Sequence, residues 1–225
     1  FIRELVSNAS DALEKLRHTQ LTESEIHQPE LPLQISLSAN EEEGTLTISD
    51  HGLGMTREEL LENIGTIAHS GSKAFIKSLE ESARKDSALI GQFGVGFYSA
   101  FMVADEVAVH SRSWRPDAES LVWTSDGKSG YEIAESAEEL PRGCRIVLKL
   151  REDCKDFAKI DEVRRVLENY SSFVPFPVMI GEERVNKIEA IWRKKKSEIS
   201  DEEYTEFYKF SAKAYDEPRY RMHFS

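Results

Sequence analysis

Short stretches of apolar–polar alternation recur along this chain, and they constrain its fold more than any other feature. Leu33, Ile35, Leu37 and Ala39 alternate with Gln34, Ser36 and Ser38, the pattern of a half-buried strand. Asn40 to Gly44 supply a turn, and Thr45-Leu46-Thr47-Ile48-Ser49 returns as the second arm of a hairpin. Val107 to His110, Leu121 to Thr124, Tyr131 to Ile133 and Cys144 to Leu150 read as further antiparallel strands. Helical periodicity interrupts them. Over residues 1–18, Ile2, Leu5, Val6, Ala9, Leu13 and Leu16 gather on one side at about 100° per residue. Thr56 with Glu59 three positions on makes a capping box for a helix over 57–67. Further helices are expected near 73–84, over 97–102 and over 160–170. Helices interleaved with hairpin strands, without strict strand–helix alternation, predict an α+β layer sandwich.

The 225 residues carry 41 acidic and 29 basic side chains, a formal charge of −12. That balance argues against a nucleic-acid binder, whose footprint would be basic. No run of 18 apolar residues occurs, so no membrane-spanning helix is expected. Cys144 and Cys154 are too few for a disulfide framework, and the histidines show no metal-ligand spacing with them. After Pro175-Phe176-Pro177 the composition turns toward charge, which places a domain boundary near 180, a linker around 181–200 and the start of another domain beyond. The chain opens inside a helix at Phe1 and closes on a strand-like Tyr220 to Phe224, so both ends read as cut from a longer protein.

Three segments carry candidate chemistry. Glu4, Asn8, Asp11 and Lys15 fall within roughly 40° of one another on the polar side of the first helix. They read either as a solvated face or as a site, with a carboxylate to handle a water and an amide oxygen to ligate a hard cation such as Mg²⁺. Asn and Asp are poor helix-interior residues, which weakens the first reading. Asp50-His51-Gly52-Leu53-Gly54-Met55 is either a plain turn or an adenine pocket. Its glycines let the backbone approach a ligand, Asp50 can accept from an exocyclic amine, and Met55 offers a polarizable surface to a flat ring. Gly91-Gln92-Phe93-Gly94-Val95-Gly96, ahead of a helix, suits phosphate binding by backbone amides. The spacing is not a dinucleotide fingerprint, and neither a Walker A sequence nor protein-kinase signatures occur.

In this order, Glu4-Leu5-Val6-Ser7-Asn8-Ala9-Ser10-Asp11-Ala12, Asp50 to Met55 and Ile90 to Ser99 resemble the three nucleotide motifs of the GHKL ATPases, and most closely those of the heat shock protein 90 family. Gly65 to Phe75 is similar to that family's ATP lid, and Ala190-Ile191-Trp192 with Glu203-Tyr204 and Phe207-Tyr208 resemble the entry to its middle domain. The resemblance implies a two-layer α/β sandwich, an antiparallel or mixed sheet with helices on one face, over residues 1–180, with a lid at about 63–98 and a middle domain beginning within 181–225. It implies ATP and ADP as ligands with Mg²⁺, hydrolysis by a clamp-like homodimer in the full-length protein, client proteins as partners, and no nucleic acid. Glu4 would activate the water, Asn8 would hold Mg²⁺, Asp11 would line the pocket and Asp50 would take the adenine amine. Gly54 and Met55 would wall the ring, Asn63 would sit near the ribose and phosphates, and the backbone of Gly91, Gln92, Phe93, Gly94, Val95, Gly96 and Phe97 would wrap the phosphates. The short linker, Ser72 and Tyr215 to Tyr220 are similar to the mitochondrial branch, with a bacterial-type member as the alternative. A DNA-processing GHKL ATPase is the rival function. His69 and Cys144 stand where the family usually has Lys or Arg and Thr, and Cys144 reads as a buried, inert thiol in preference to a reactive one. With most of the middle domain absent, this stretch is expected to bind ATP and hydrolyse it poorly.

Overall fold

The computed structural model describes residues 1–65, 96–186 and 191–222. The expected helix at 73–84, most of the expected lid, and Gly91 to Val95 lie outside those residues.

Alternation builds the strands where the sequence places them. They are β1 (Ile35–Asn40), β2 (Thr45–Asp50), β3 (Ala104–Arg112), β4 (Ser120–Ser125), β5 (Tyr131–Glu135), β6 (Gly143–Leu150), β7 (Val178–Ile180) and β8 (Glu183–Arg184). They join in one sheet in the order β5-β4-β3-β6-β2-β1-β7-β8. Every pairing is antiparallel except β1 with β7, so the sheet is mixed.

One face of the sheet is covered by helix α1 (Ile2–Thr22) and helix α3 (Ile160–Tyr170). All six apolar positions predicted for α1 are buried, and Ile2, Leu5, Val6, Ala9 and Leu13 join one core cluster with Ile35, Leu37, Leu46 and Ile48 of the sheet and Val163 and Leu167 of α3. Removing this apolar surface from water is the main stabilising term. Helix α1 runs one turn past the expected end. Thr19 and Thr22 donate their hydroxyls to the carbonyls of Lys15 and Thr19, so the polar last turns stay helical. Helix α2 (Arg57–Asn63) starts on the predicted capping box, with Thr56 Oγ1 accepting from Glu59 N–H and Glu59 Oε2 accepting from Thr56 N–H. It stops short of residue 67. Ile64 and Gly65 both donate to Leu60 O, a helix-ending bond pair. The expected helix at 97–102 is a 3-10 segment, Gly96–Met102. Helix α4 (Asp201–Ala212) connects back through Phe173, whose ring meets Trp192, Phe207 and Phe210 at 4.8, 5.8 and 5.8 Å. Among the described residues no helix is long and apolar enough to cross a membrane.

The parallel strand β7 depends on one side chain. Asn186, 3% exposed, accepts from Val178 N–H at 2.8 Å and donates to Val174 O and Phe176 O at 2.9 and 2.8 Å. Asn186→Ala leaves those three buried backbone groups unpaired, so it is predicted to cost about 1–3 kcal/mol in urea unfolding. A loss below about 0.5 kcal/mol, the range of ordinary surface changes, would contradict this view of β7.

Candidate functional site

The strand register assembles one end of the site. Asp50 of β2 stands opposite Cys144 of β6, and Cys144 stands opposite Ser111 of β3, so the three residues form a row across adjacent strands. The next row inward is Ile48, Ile146 and Val109. The row of Asp50 therefore continues the apolar core on its helix-covered face and ends it with groups that can hydrogen-bond.

Asp50 is 7% exposed, and its Oδ1 accepts the Gly52 N–H at 2.8 Å. Burial pushes its carboxyl up to about 7, although the N–H groups of Gly52 and Cys144 and the charge of Arg142 act in the opposite sense. Ser111 Oγ accepts the Met55 N–H at 2.8 Å and lies 3.3 Å from Cys144 Sγ. Burial also raises the Cys144 thiol well above its ordinary range, so it stays protonated and unreactive. The loop after β2 fits only one way. Gly54 has φ +61°, and a methyl group on it would lie 1.8 Å from Arg112 O. Only glycine meets both demands.

Helix α1 supplies the long wall. A methyl group on Gly52 would lie 2.7 Å from Ala12 Cβ, and one on Gly96 would lie 2.8 Å from Glu4 Oε2. The helix thus touches the loop after β2 at Ala12 and the end of the glycine-rich turn at Glu4. Eight residues at 1.5 Å rise put those contacts about 12 Å apart along the axis, comparable to a nucleoside triphosphate from base to terminal phosphate. The polar stripe between them is no solvated face. Asp11 is 2% exposed, Asn8 is half-buried, and only Glu4 is open to solvent. Lys15, half-buried, faces Asp11 and Glu59; their charges raise its pKa, but burial outweighs them and leaves it lowered.

The turn end is fixed by aromatic packing. Phe97, 8% exposed, meets Tyr98, Phe101 and Trp123 at 5.7, 6.2 and 5.6 Å. Tyr98 donates its hydroxyl to Ile64 O at 2.9 Å, which brings the end of α2, with half-buried Asn63, against the 3-10 segment. Of the residues predicted for the site, Glu4, Asn8, Asp11, Asp50, Gly54, Met55, Asn63, Gly96 and Phe97 are described and lie on these linked elements. Gly91, Gln92, Phe93, Gly94 and Val95 lie outside the described residues. Ser111 and Arg142 were not singled out by sequence reasoning. A polar residue on the inward parity of β3, after Val107 and Val109, was the available signal for Ser111. A separate open hollow of about 630 Å³ at the far end of α1, next to Glu23, Ile26 and Pro116, shares none of the predicted site residues.

Among the described residues no group of three or more His, Cys, Asp and Glu could hold a metal. Mg²⁺ needs no such group, since it keeps several waters and takes one or two protein oxygens beside substrate phosphates. The half-buried Asn8 amide, between Glu4 and Asp11 on the helix, fits that demand.

Residues 2–136 match the family of histidine kinase-, DNA gyrase B- and HSP90-like ATPases, and residues 179–225 match the Hsp90 protein family. The chain belongs to the HSP90-like ATPases. It is 58% identical to the chaperone protein HtpG of Desulfitobacterium hafniense (strain Y51), over all of this chain and 37% of that protein. It is 50% identical to the mitochondrial heat shock protein 75 kDa of Rattus norvegicus, over all of this chain and 31% of that protein. It is 46% identical to the mitochondrial TNF receptor-associated protein 1 homolog of Dictyostelium discoideum, over all of this chain and 32% of that protein. The chain thus spans about a third of the length of these relatives, which come from both bacteria and mitochondria. The expected α+β sandwich with a mixed sheet is the fold observed, and membership of an ATPase family implies nucleotide binding.

The buried carboxyl gives this HSP90-like domain a measurable pH dependence. The folded chain holds the Asp50 proton up to about pH 7, against an ordinary value of 3.8. The folded state therefore binds more protons between those values, and stability falls as pH rises through them. The predicted loss from this group is about 2–3 kcal/mol between pH 5 and pH 8. Asp50→Asn should remove that part of the decline in urea titrations at the two pH values; parallel declines in both chains would contradict it.

Proposed function

We propose that this chain is the nucleotide module of a molecular chaperone, binding ATP with Mg²⁺ and hydrolysing it to drive clamp closure of a homodimer on client proteins. One observation carries this reading: α1 touches the loop after β2 and the glycine-rich turn at points one nucleotide length apart. The module would occupy 1–180, with a linker and the start of a middle domain over 181–225. The names of the relatives support the chaperone assignment, and a net charge of −12 disfavours the DNA-processing alternative. The short linker and the residues near the end favour the mitochondrial matrix as its address, with the bacterial cytoplasm as the alternative that the HtpG relatives support.

In this reading Asp50 accepts the exocyclic amine of adenine, with Gly54 and Met55 along the ring. Asn63 faces the ribose and phosphates, and the N–H groups of Gly91 to Phe97 receive the phosphate oxygens. Asp11 anchors the wall between the two ends. Asn8 would hold Mg²⁺, which when bound screens phosphate charge. Glu4 orients a water for in-line attack on the γ-phosphorus and takes its proton; the bond to the β-phosphate oxygen breaks, and ADP and phosphate leave. Positioning and electrostatic stabilisation do most of the work in such a transfer.

The test is a pair of substitutions in the full-length protein. Glu4→Ala should keep ATP affinity within about twofold and lower turnover by about 10²-fold or more, as expected for loss of a general base. Gly96→Ala should push the Glu4 carboxylate aside and lower turnover more than affinity. Equal turnover in wild type and Glu4→Ala would remove Glu4 from the mechanism.

A further inference from the structure

The most completely buried charged group among the described residues is Arg142, which is 0% exposed. It lies in the turn before β6, two residues ahead of Cys144. Its guanidinium donates to four backbone carbonyls on two loops. Nε reaches His27 O at 3.0 Å and Nη2 reaches Gln28 O at 3.2 Å. Nη1 reaches Gly52 O at 3.1 Å and also His51 O. The backbone N–H of Arg142 donates to Gln28 Oε1 at 3.1 Å. Gln28 itself holds a left-handed backbone, φ +49°, which a non-glycine residue adopts only under constraint. Arginines are almost never fully buried without such a purpose.

We propose that Arg142 is a positioning residue for the adenine pocket, fastening the His51–Gly52 backbone to the loop at 27–28 and setting its positive charge beside the Asp50 carboxylate. This rests on the reading of Asp50 as the acceptor of the adenine amine. Gly52 is the residue packed against Ala12 of α1 and donating to Asp50 Oδ1, so a shift of its carbonyl moves both the floor of the pocket and the carboxylate's own partner. Arg142 reaches Asp50 by charge as well, favouring the ionised form. The other charged or titratable groups near this end are His51 beside Asp50, Cys144 on β6, Arg112 on β3, Asp11 and Lys15 on α1, Glu59 on α2, and His27 and Glu30 on the loop before β1. None of them carries a positive charge credited to Asp50; Arg142 does.

Adenosine is the probe, because unlike ATP it has no phosphate that titrates near neutrality. Calorimetry from pH 6 to pH 9 on the wild-type chain should show affinity rising with a midpoint at about 7, set by ionisation of Asp50. In Arg142→Gln the midpoint should move upward from that of the wild type, with affinity weaker at pH 7 from the lost ionised fraction alone. Arg142→Lys keeps the charge and loses the planar fork, so its midpoint should stay near 7 while affinity falls at every pH. A folded Arg142→Gln with an unmoved midpoint overturns the proposal. Should Arg142→Gln fail to fold, Arg142→Lys decides alone: weaker affinity at an unchanged midpoint supports the proposal, and wild-type affinity overturns it. Wild-type adenosine binding that is insensitive to Asp50→Asn is a different failure. It removes the adenine reading itself, and this proposal with it.

Discussion

The packing of α1 on the sheet is the contact on which everything else in this chain depends. The helix comes so near that Gly52 has no room for a methyl group against the Ala12 backbone, and a methyl group on Gly96 would displace the exposed carboxylate tip of Glu4. The first closeness comes from the loop after β2, the second from the start of the 3-10 segment. Because one rigid helix makes both, the separation of the two loops is set by helical rise. Buried Leu5, Val6, Leu13 and Leu16 hold that helix down on its apolar side. The candidate site face is thus positioned by ordinary core packing, through the same side chains that stabilise the fold.

The site carries its own energetic cost. A carboxylate at the end of an apolar row is disfavoured by desolvation, and two backbone N–H groups with one arginine only partly offset this for Asp50. A left-handed Gln28 and a Gly54 pressed against Arg112 O are further departures from relaxed backbone. These departures cluster around the loop after β2 while the flanking strands keep regular register. Such a pattern is expected where a fold gives up stability to pre-form a pocket.

The sequence revealed elements whose signal is local. The α1 stripe, the hairpin of β1 and β2, the capping box at Thr56 and the helix over 160–170 all rest on neighbours within a few residues, and all were found. The missed features depend on partners far along the chain. Strand β7 has three residues, too few for alternation, and is held by Asn186 from beyond its own end. The polar stripe of α1 could be read as a solvated face because periodicity cannot show that the loop after β2 closes over it. Arg142 gave no signal at all, since an arginine between Pro141 and Gly143 looks like part of an exposed turn. Ser111 was legible only as a break in the inward parity of β3. For the glycine-rich turn, the described residues include only its last member, Gly96, and Phe97 beyond it.

The most direct measurement is a crystal structure of the full-length protein with a non-hydrolysable ATP analogue and Mg²⁺. One nucleotide should lie along α1, its adenine amine within hydrogen-bond distance of Asp50 and its terminal phosphate between Glu4 and the Gly96 backbone. A nucleotide that reaches only one of those ends, or that lies away from α1 altogether, would contradict this reading of the site.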